Sequence, residues 1–89
     1  MASKILIVED DEGLARFIEL ELSHEGYEII KKDNGREGLE CALHENLDLI
    51  LLDIMLPGLN GLEVMRRLQM EKDTPIILLT ARDAVMDKV

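Results

Sequence analysis

Asp48-Leu49-Ile50-Leu51-Leu52-Asp53 is the stretch on which the fold turns. Four aliphatic residues run unbroken between two carboxylates, the pattern of a strand covered on both faces. Ile5-Leu6-Ile7-Val8 repeats it upstream and ends in Glu9-Asp10-Asp11-Glu12. Thr74-Pro75 opens a further run, Ile76-Ile77-Leu78-Leu79-Thr80. Tyr27-Glu28-Ile29-Ile30 alternates more and reads as an edge strand.

The segments between these runs switch to helical spacing. Leu14, Phe17, Ile18 and Leu22 form one apolar face, closed by His24-Glu25-Gly26, with Gly26 suited to the left-handed position past a helix end. Asp33-Asn34-Gly35 is a turn before a helix that places Leu39, Ala42 and Leu43 inward. The loop Pro57-Gly58-Leu59-Asn60-Gly61 leads into a helix with Leu62, Met65 and Leu68 inward, and Asp83 caps the start of a last one. Alternating apolar strands and helices predict an α/β fold, a doubly wound parallel sheet with helices on both faces.

The chain has 89 residues, 47% of them hydrophobic and 33% charged, which suits one domain spanning 1–89 with an aliphatic core. Phe17 and Tyr27 are its only Phe and Tyr, and it has no Trp. A formal net charge of −9 argues against a nucleic-acid surface within these residues. Cys41 stands alone, so neither a disulfide framework nor a metal–thiolate cluster is expected. No apolar run reaches the roughly 18 residues of a membrane span, and the opening Met-Ala-Ser-Lys lacks a signal-peptide core. A cytoplasmic location with no membrane contact is the expectation. His24 and His44 read as surface residues, and Met55, Met65 and Met70 as core or loop packing.

In an open parallel sheet the site lies beyond the carboxyl ends of the strands. Glu9 and Asp10 follow the first strand, Asp53 ends the third and Thr80 ends the fourth, whereas Asp48 sits at the opposite end. Two carboxylates about 4 Å apart repel by about 4 kcal/mol at an effective dielectric near 20. Such a cluster calls for raised pKa values or a cation, and Mg²⁺ with its preference for oxygen is the natural choice.

Those segments, with Leu51-Leu52-Asp53-Ile54-Met55-Leu56-Pro57-Gly58-Leu59-Asn60-Gly61 and Pro75-Ile76-Ile77-Leu78-Leu79-Thr80-Ala81-Arg82, resemble the receiver domain of two-component response regulators. The Glu-Asp pair and the Leu-Pro-Gly-Leu-Asn-Gly loop are most similar to transcription-factor regulators that carry a winged-helix output domain. The resemblance covers all 89 residues. It implies a flavodoxin-like sheet of four strands in the order 2-1-3-4, with three helices and the start of a fourth. It also implies a signalling module rather than an enzyme, in which Asp53 takes a phosphoryl group from a sensor histidine kinase with Mg²⁺. Asp10 would then bind the ion directly, Glu9 through water, and Asp53 and the backbone carbonyl of Met55 would complete the protein ligands. Thr80 would be the switch hydroxyl, Ala81 would leave room for the phosphoryl group, and Asp11 would be a solvated loop residue. DNA would be reached only through an output domain outside these residues.

The family pattern continues into a fifth strand that ends in a phosphoryl-pairing lysine followed by proline. No such strand follows Thr80 within the 89 residues, and Lys88 comes too early to match. The expectations are an N-terminal portion of a receiver, weakened phosphorylation, and self-association through an exposed fourth-strand edge. The alternative is a structural or oligomerising fragment with no phosphotransfer activity left. An enzyme of the haloacid-dehalogenase type would need a second Asp two residues after the nucleophile, where this chain has Met55.

Overall fold

In the computed structural model the described residues are 2–79. They form β1 (Lys4–Val8), α1 (Glu12–His24), β2 (Glu28–Lys32), α2 (Gly35–His44), β3 (Leu49–Asp53), α3 (Gly61–Gln69) and β4 (Ile76–Leu79). Thr80, Ala81 and the helix expected from Asp83 lie outside the described residues. All strands are parallel, and the sheet order is β2-β1-β3-β4, the expected 2-1-3-4.

Register explains why the apolar runs are continuous. Val8 pairs with Leu52, and Leu52 with Leu78, so equivalent positions line up across the sheet. Leu6, Val8, Ile50 and Leu52 face one way and pack with Ala42 of α2 and Val64 and Leu68 of α3. Side chains alternate along a strand, so Ile5 and Ile7 face the other side, where α1 covers β1 and β2. Both faces of β1 are thus buried, as its unbroken apolar run requires.

Helix starts are set by short polar side chains. Asp11, Asn34 and Asn60 accept hydrogen bonds from the backbone N–H groups of Leu14, Glu37 and Glu63 at 3.1, 2.9 and 2.9 Å. Each satisfies one of the free donors at a helix N-terminus. Gly26 follows α1 with φ +98°, as its position after the helix predicted.

Two helices are rolled differently from the sequence expectation. In α1 the buried residue is Ala15, while Phe17 is 60% exposed. A helix turns about 100° per residue, which puts Phe17 about 160° from Ala15. In α3 the inward seam is Gly61, Val64 and Leu68, and Leu62 points outward. Met55 and Met70, expected to pack, are exposed as well.

Lys72, beyond α3, ties that end of the molecule to α2. Its Nζ donates to the carbonyls of Ala42 and Glu45 at 3.0 and 2.9 Å. Those carbonyls belong to the end of α2, where a cation meets both unpaired acceptors and the negative end of the helix dipole. Lys72→Met is therefore expected to cost about 1–2 kcal/mol, read as a lower midpoint in urea with an unchanged slope.

Candidate functional site

The carboxyl ends of β1 and β3 are neighbours in the sheet, so Glu9 and Asp10 arrive beside Asp53. One carboxylate oxygen from each of the three lies within 4.8 Å of the other two. Glu9 and Asp53 are 2% and 1% exposed, whereas Asp10 faces solvent. The site therefore has two buried acids and one open one. Asp48 lies at the far end of β3, where its carboxylate accepts from the Lys4 N–H at 2.7 Å.

Glu9 carries the electrostatic strain. One oxygen, Oε2, accepts from the Asp11 N–H at 2.9 Å, while Oε1 is buried with no hydrogen-bond partner. Burial above all, then the charge and carboxyl of Asp53 and the carboxyl of Asp10, push its pKa up from 4.5 to about 7 against the pull of the Asp11 N–H. A buried acceptor without a partner costs about 1–3 kcal/mol, and more when it is charged. An orphaned oxygen among three converging carboxylates fits a hard divalent cation, which satisfies oxygen acceptors and offsets their repulsion.

The backbone around Asp53 is pinned on several sides. The Ile54 N–H donates to Leu79 O at 3.0 Å, so the β3–β4 ladder continues past the acid. The Met55 N–H donates to Asp53 Oδ1 at 3.2 Å and orients the carboxylate. The Gly61 N–H donates to Ile54 O at 2.9 Å. Gly61, expected as a turn residue, instead opens α3, and its reason for being glycine is proximity. A Cβ there would lie 2.1 Å from the Asp53 carbonyl oxygen. Gly58, with φ +73°, is the true turn glycine of this loop.

Of the residues singled out in the sequence, Glu9, Asp10 and Asp53 are brought together and Met55 stands beside them. Thr80 lies outside the described residues. His24 and His44 are both exposed; the His44 ring Nδ1 lies 2.8 Å from the Glu40 carbonyl within its own helix. Asp11 is exposed as expected, but it also caps α1 and tethers Glu9, roles the sequence reading missed. Its position one residue ahead of a helical pattern was the available signal.

The family model of the response regulator receiver domain matches residues 5–89. This chain belongs to the response regulator receiver family. As a receiver it is 58% identical over 86 residues to the uncharacterised transcriptional regulatory protein YkoG of Bacillus subtilis, covering 96% of this chain and 38% of that protein. It is 55% identical over 87 residues to the response regulator ArlR of Staphylococcus saprophyticus, covering 98% of this chain and 40% of that protein. The receiver thus spans about two fifths of the length of these relatives. Among solved structures, the response regulator TrrA of Thermotoga maritima in complex with Mg²⁺-BeF superposes with a TM-score of 0.87 at 40% identity, over 98% of this chain and 76% of that one. TrrA crystallised with the histidine kinase ThkA gives 0.83 at 44% identity, over 89% of this chain and 69% of that one. No described helix of the receiver is long and apolar enough to cross a membrane.

Proposed function

We propose that this receiver accepts a phosphoryl group on Asp53 from a sensor histidine kinase, with Mg²⁺ held by Asp10, Asp53, the Met55 carbonyl and, through water, Glu9. The observation that carries the reading is the buried Glu9–Asp53 pair with the orphaned Glu9 oxygen, at the strand end where the family binds its phosphoryl group. The Mg²⁺-BeF complex and the kinase complex of TrrA, a relative by structure, support the metal and the donor.

In the transfer, an Asp53 carboxylate oxygen forms a bond to phosphorus as the donor histidine's P–N bond breaks, and the leaving imidazole takes up a proton. The Met55 N–H holds the carboxylate in a fixed direction, and burial excludes competing water. When bound, Mg²⁺ supplies charge neutralisation for the phosphoryl oxygens and for the acids. Thr80 would close on the phosphoryl oxygen and carry the change to a winged-helix DNA-binding output domain of the parent regulator.

Assayed alone, the 89-residue polypeptide is expected to label slowly. Lys88 is the one lysine in 81–89 and comes too early to match the family's phosphoryl-pairing lysine, so these residues by themselves supply one charge-assisted contact fewer. Incubation with acetyl phosphate and Mg²⁺, followed by mass spectrometry, should show a single added phosphoryl group that accumulates slowly. No labelling under any condition would favour the reading as a structural fragment. The open side of β4 supports a second proposal, self-association of this polypeptide. Among the described residues β4 pairs only with β3, and Ile77 is 50% exposed. Size-exclusion with light scattering should give a dimer mass at micromolar concentration; a monomer mass would reject it.

A further inference from the structure

The loop that follows Asp53 is closed back onto the strand end by Gly61, and two residues before Gly61 it meets a residue from another part of the chain. Gly35, the first residue of α2, lies so close to Leu59 that a Cβ would stand 1.8 Å from the Leu59 carbonyl oxygen and 2.8 Å from its carbonyl carbon. The obstacle is backbone, so no side-chain rotation relieves it. Gly35 is buried, and the α2 turn it opens is fixed by the Asn34 cap. The segment 54–60, closed by the Gly61 approach and touched at Leu59 by Gly35, carries Met55 and its hydrogen bond to Asp53.

We propose that Gly35 is a positioning residue for the Asp53 site: its missing side chain lets the first turn of α2 seat on Leu59 and hold the loop that presents Met55 to Asp53. The inference rests on the reading of Asp53 as the centre of a metal and phosphoryl site. A side chain at Gly35 pushes Leu59 outward. The loop is pinned at Ile54 and Gly61 by backbone hydrogen bonds, so the displacement is taken up between them, where Met55 lies. The sequence showed Gly35 only as part of a turn, 18 residues before Asp53.

The test compares Gly35→Ala with Gly38→Ala in the 89-residue chain. Gly38 is the control because it lies in the same helix and is also crowded, but by side chain alone: its Cβ would stand 2.7 Å from a Val8 methyl, and its nearest neighbours belong to Val8 and not to the loop. MgCl₂ titration followed by amide NMR gives affinity, thermal unfolding gives stability, and hydrogen exchange of the Met55 amide gives a readout that needs no metal. Gly35→Ala is expected to weaken Mg²⁺ binding about tenfold and to speed Met55 exchange. Gly38→Ala should lose less stability, keep Mg²⁺ affinity within about twofold and leave Met55 exchange no faster than that of the β1 amides.

If Gly35→Ala does not fold, Asn34→Ala decides the matter. It only loosens the first turn of α2, at a cost of about 1 kcal/mol, and should speed Met55 exchange more than that of the β1 amides. Wild-type Mg²⁺ affinity and Met55 exchange in Gly35→Ala, or equal loss of affinity in both glycine variants, would overturn the positioning role. If the wild-type chain itself binds no Mg²⁺ while Gly35→Ala still speeds Met55 exchange, the site reading falls and the positioning stands.

Discussion

Asp53→Asn is expected to abolish labelling by acetyl phosphate, lowering the initial rate by a factor on the order of 10³ or more. An amide oxygen is a poor nucleophile and cannot form a stable acyl phosphate. The substitution is nearly isosteric, and its carbonyl can still accept from the Met55 N–H, so the fold should be retained. It should also raise the melting temperature of the metal-free chain, because one of three converging carboxylates loses its charge. Loss of labelling together with greater metal-free stability separates removal of the acceptor from general damage. Unchanged labelling of Asp53→Asn would place the phosphoryl group elsewhere.

Metal-free stability should fall as pH rises from about 5 to about 8, the reverse of ordinary acid denaturation. Glu9 titrates at 4.5 in the unfolded chain and at about 7 in the folded one, because burial disfavours its charge. The folded state therefore holds a proton that the unfolded state has released. This contribution is complete below pH 4.5, declines as pH rises through 7, and is gone above it. A gap of that size corresponds to about 3 kcal/mol. Glu63 acts in another window: the Arg66 and Arg67 guanidiniums beside it lower its pKa to about 2, so its stabilisation is lost only as pH falls below 4.5. Glu9→Gln should flatten the pH 5–8 decline and stabilise the metal-free chain at pH 8. Saturating Mg²⁺ should do the same for the wild type but much less for the variant. Urea midpoints at pH 5.5 and 8.0, with EDTA and with MgCl₂, check each arm.

Much of this was legible in the residues themselves. Continuous runs such as Ile5–Val8 can be read because a parallel strand buried on both faces has no polar alternation to imitate. Once those strands are placed, their carboxyl ends bring Glu9, Asp10 and Asp53 together without further information. Helix roll was not legible to the same degree. Phe17 and Leu62 fit an apolar stripe by spacing, yet the residues turned inward are Ala15 in α1 and Gly61, Val64 and Leu68 in α3, with Gly61 held against the Asp53 carbonyl. A glycine chosen for proximity looks the same in sequence as one chosen for a turn, which is why Gly61 and Gly35 were both read as turn residues. The reach of Lys72 to the end of α2 joins residues 27 and 30 apart, a pairing that no local pattern signals. The separate fates of the two Glu9 oxygens depend on backbone geometry at Asp11, which no residue pattern signals.

The claim that Glu9, Asp10 and Asp53 form one cation site is tested most directly by titrating MgCl₂ into the metal-free chain at pH 7.5 and following its amide resonances. A saturable one-site shift confined to residues 9–11 and 53–55, and lost in Asp53→Asn, is the predicted result. Small unsaturating shifts spread along the acidic surface, the same in wild type and Asp53→Asn, would contradict it.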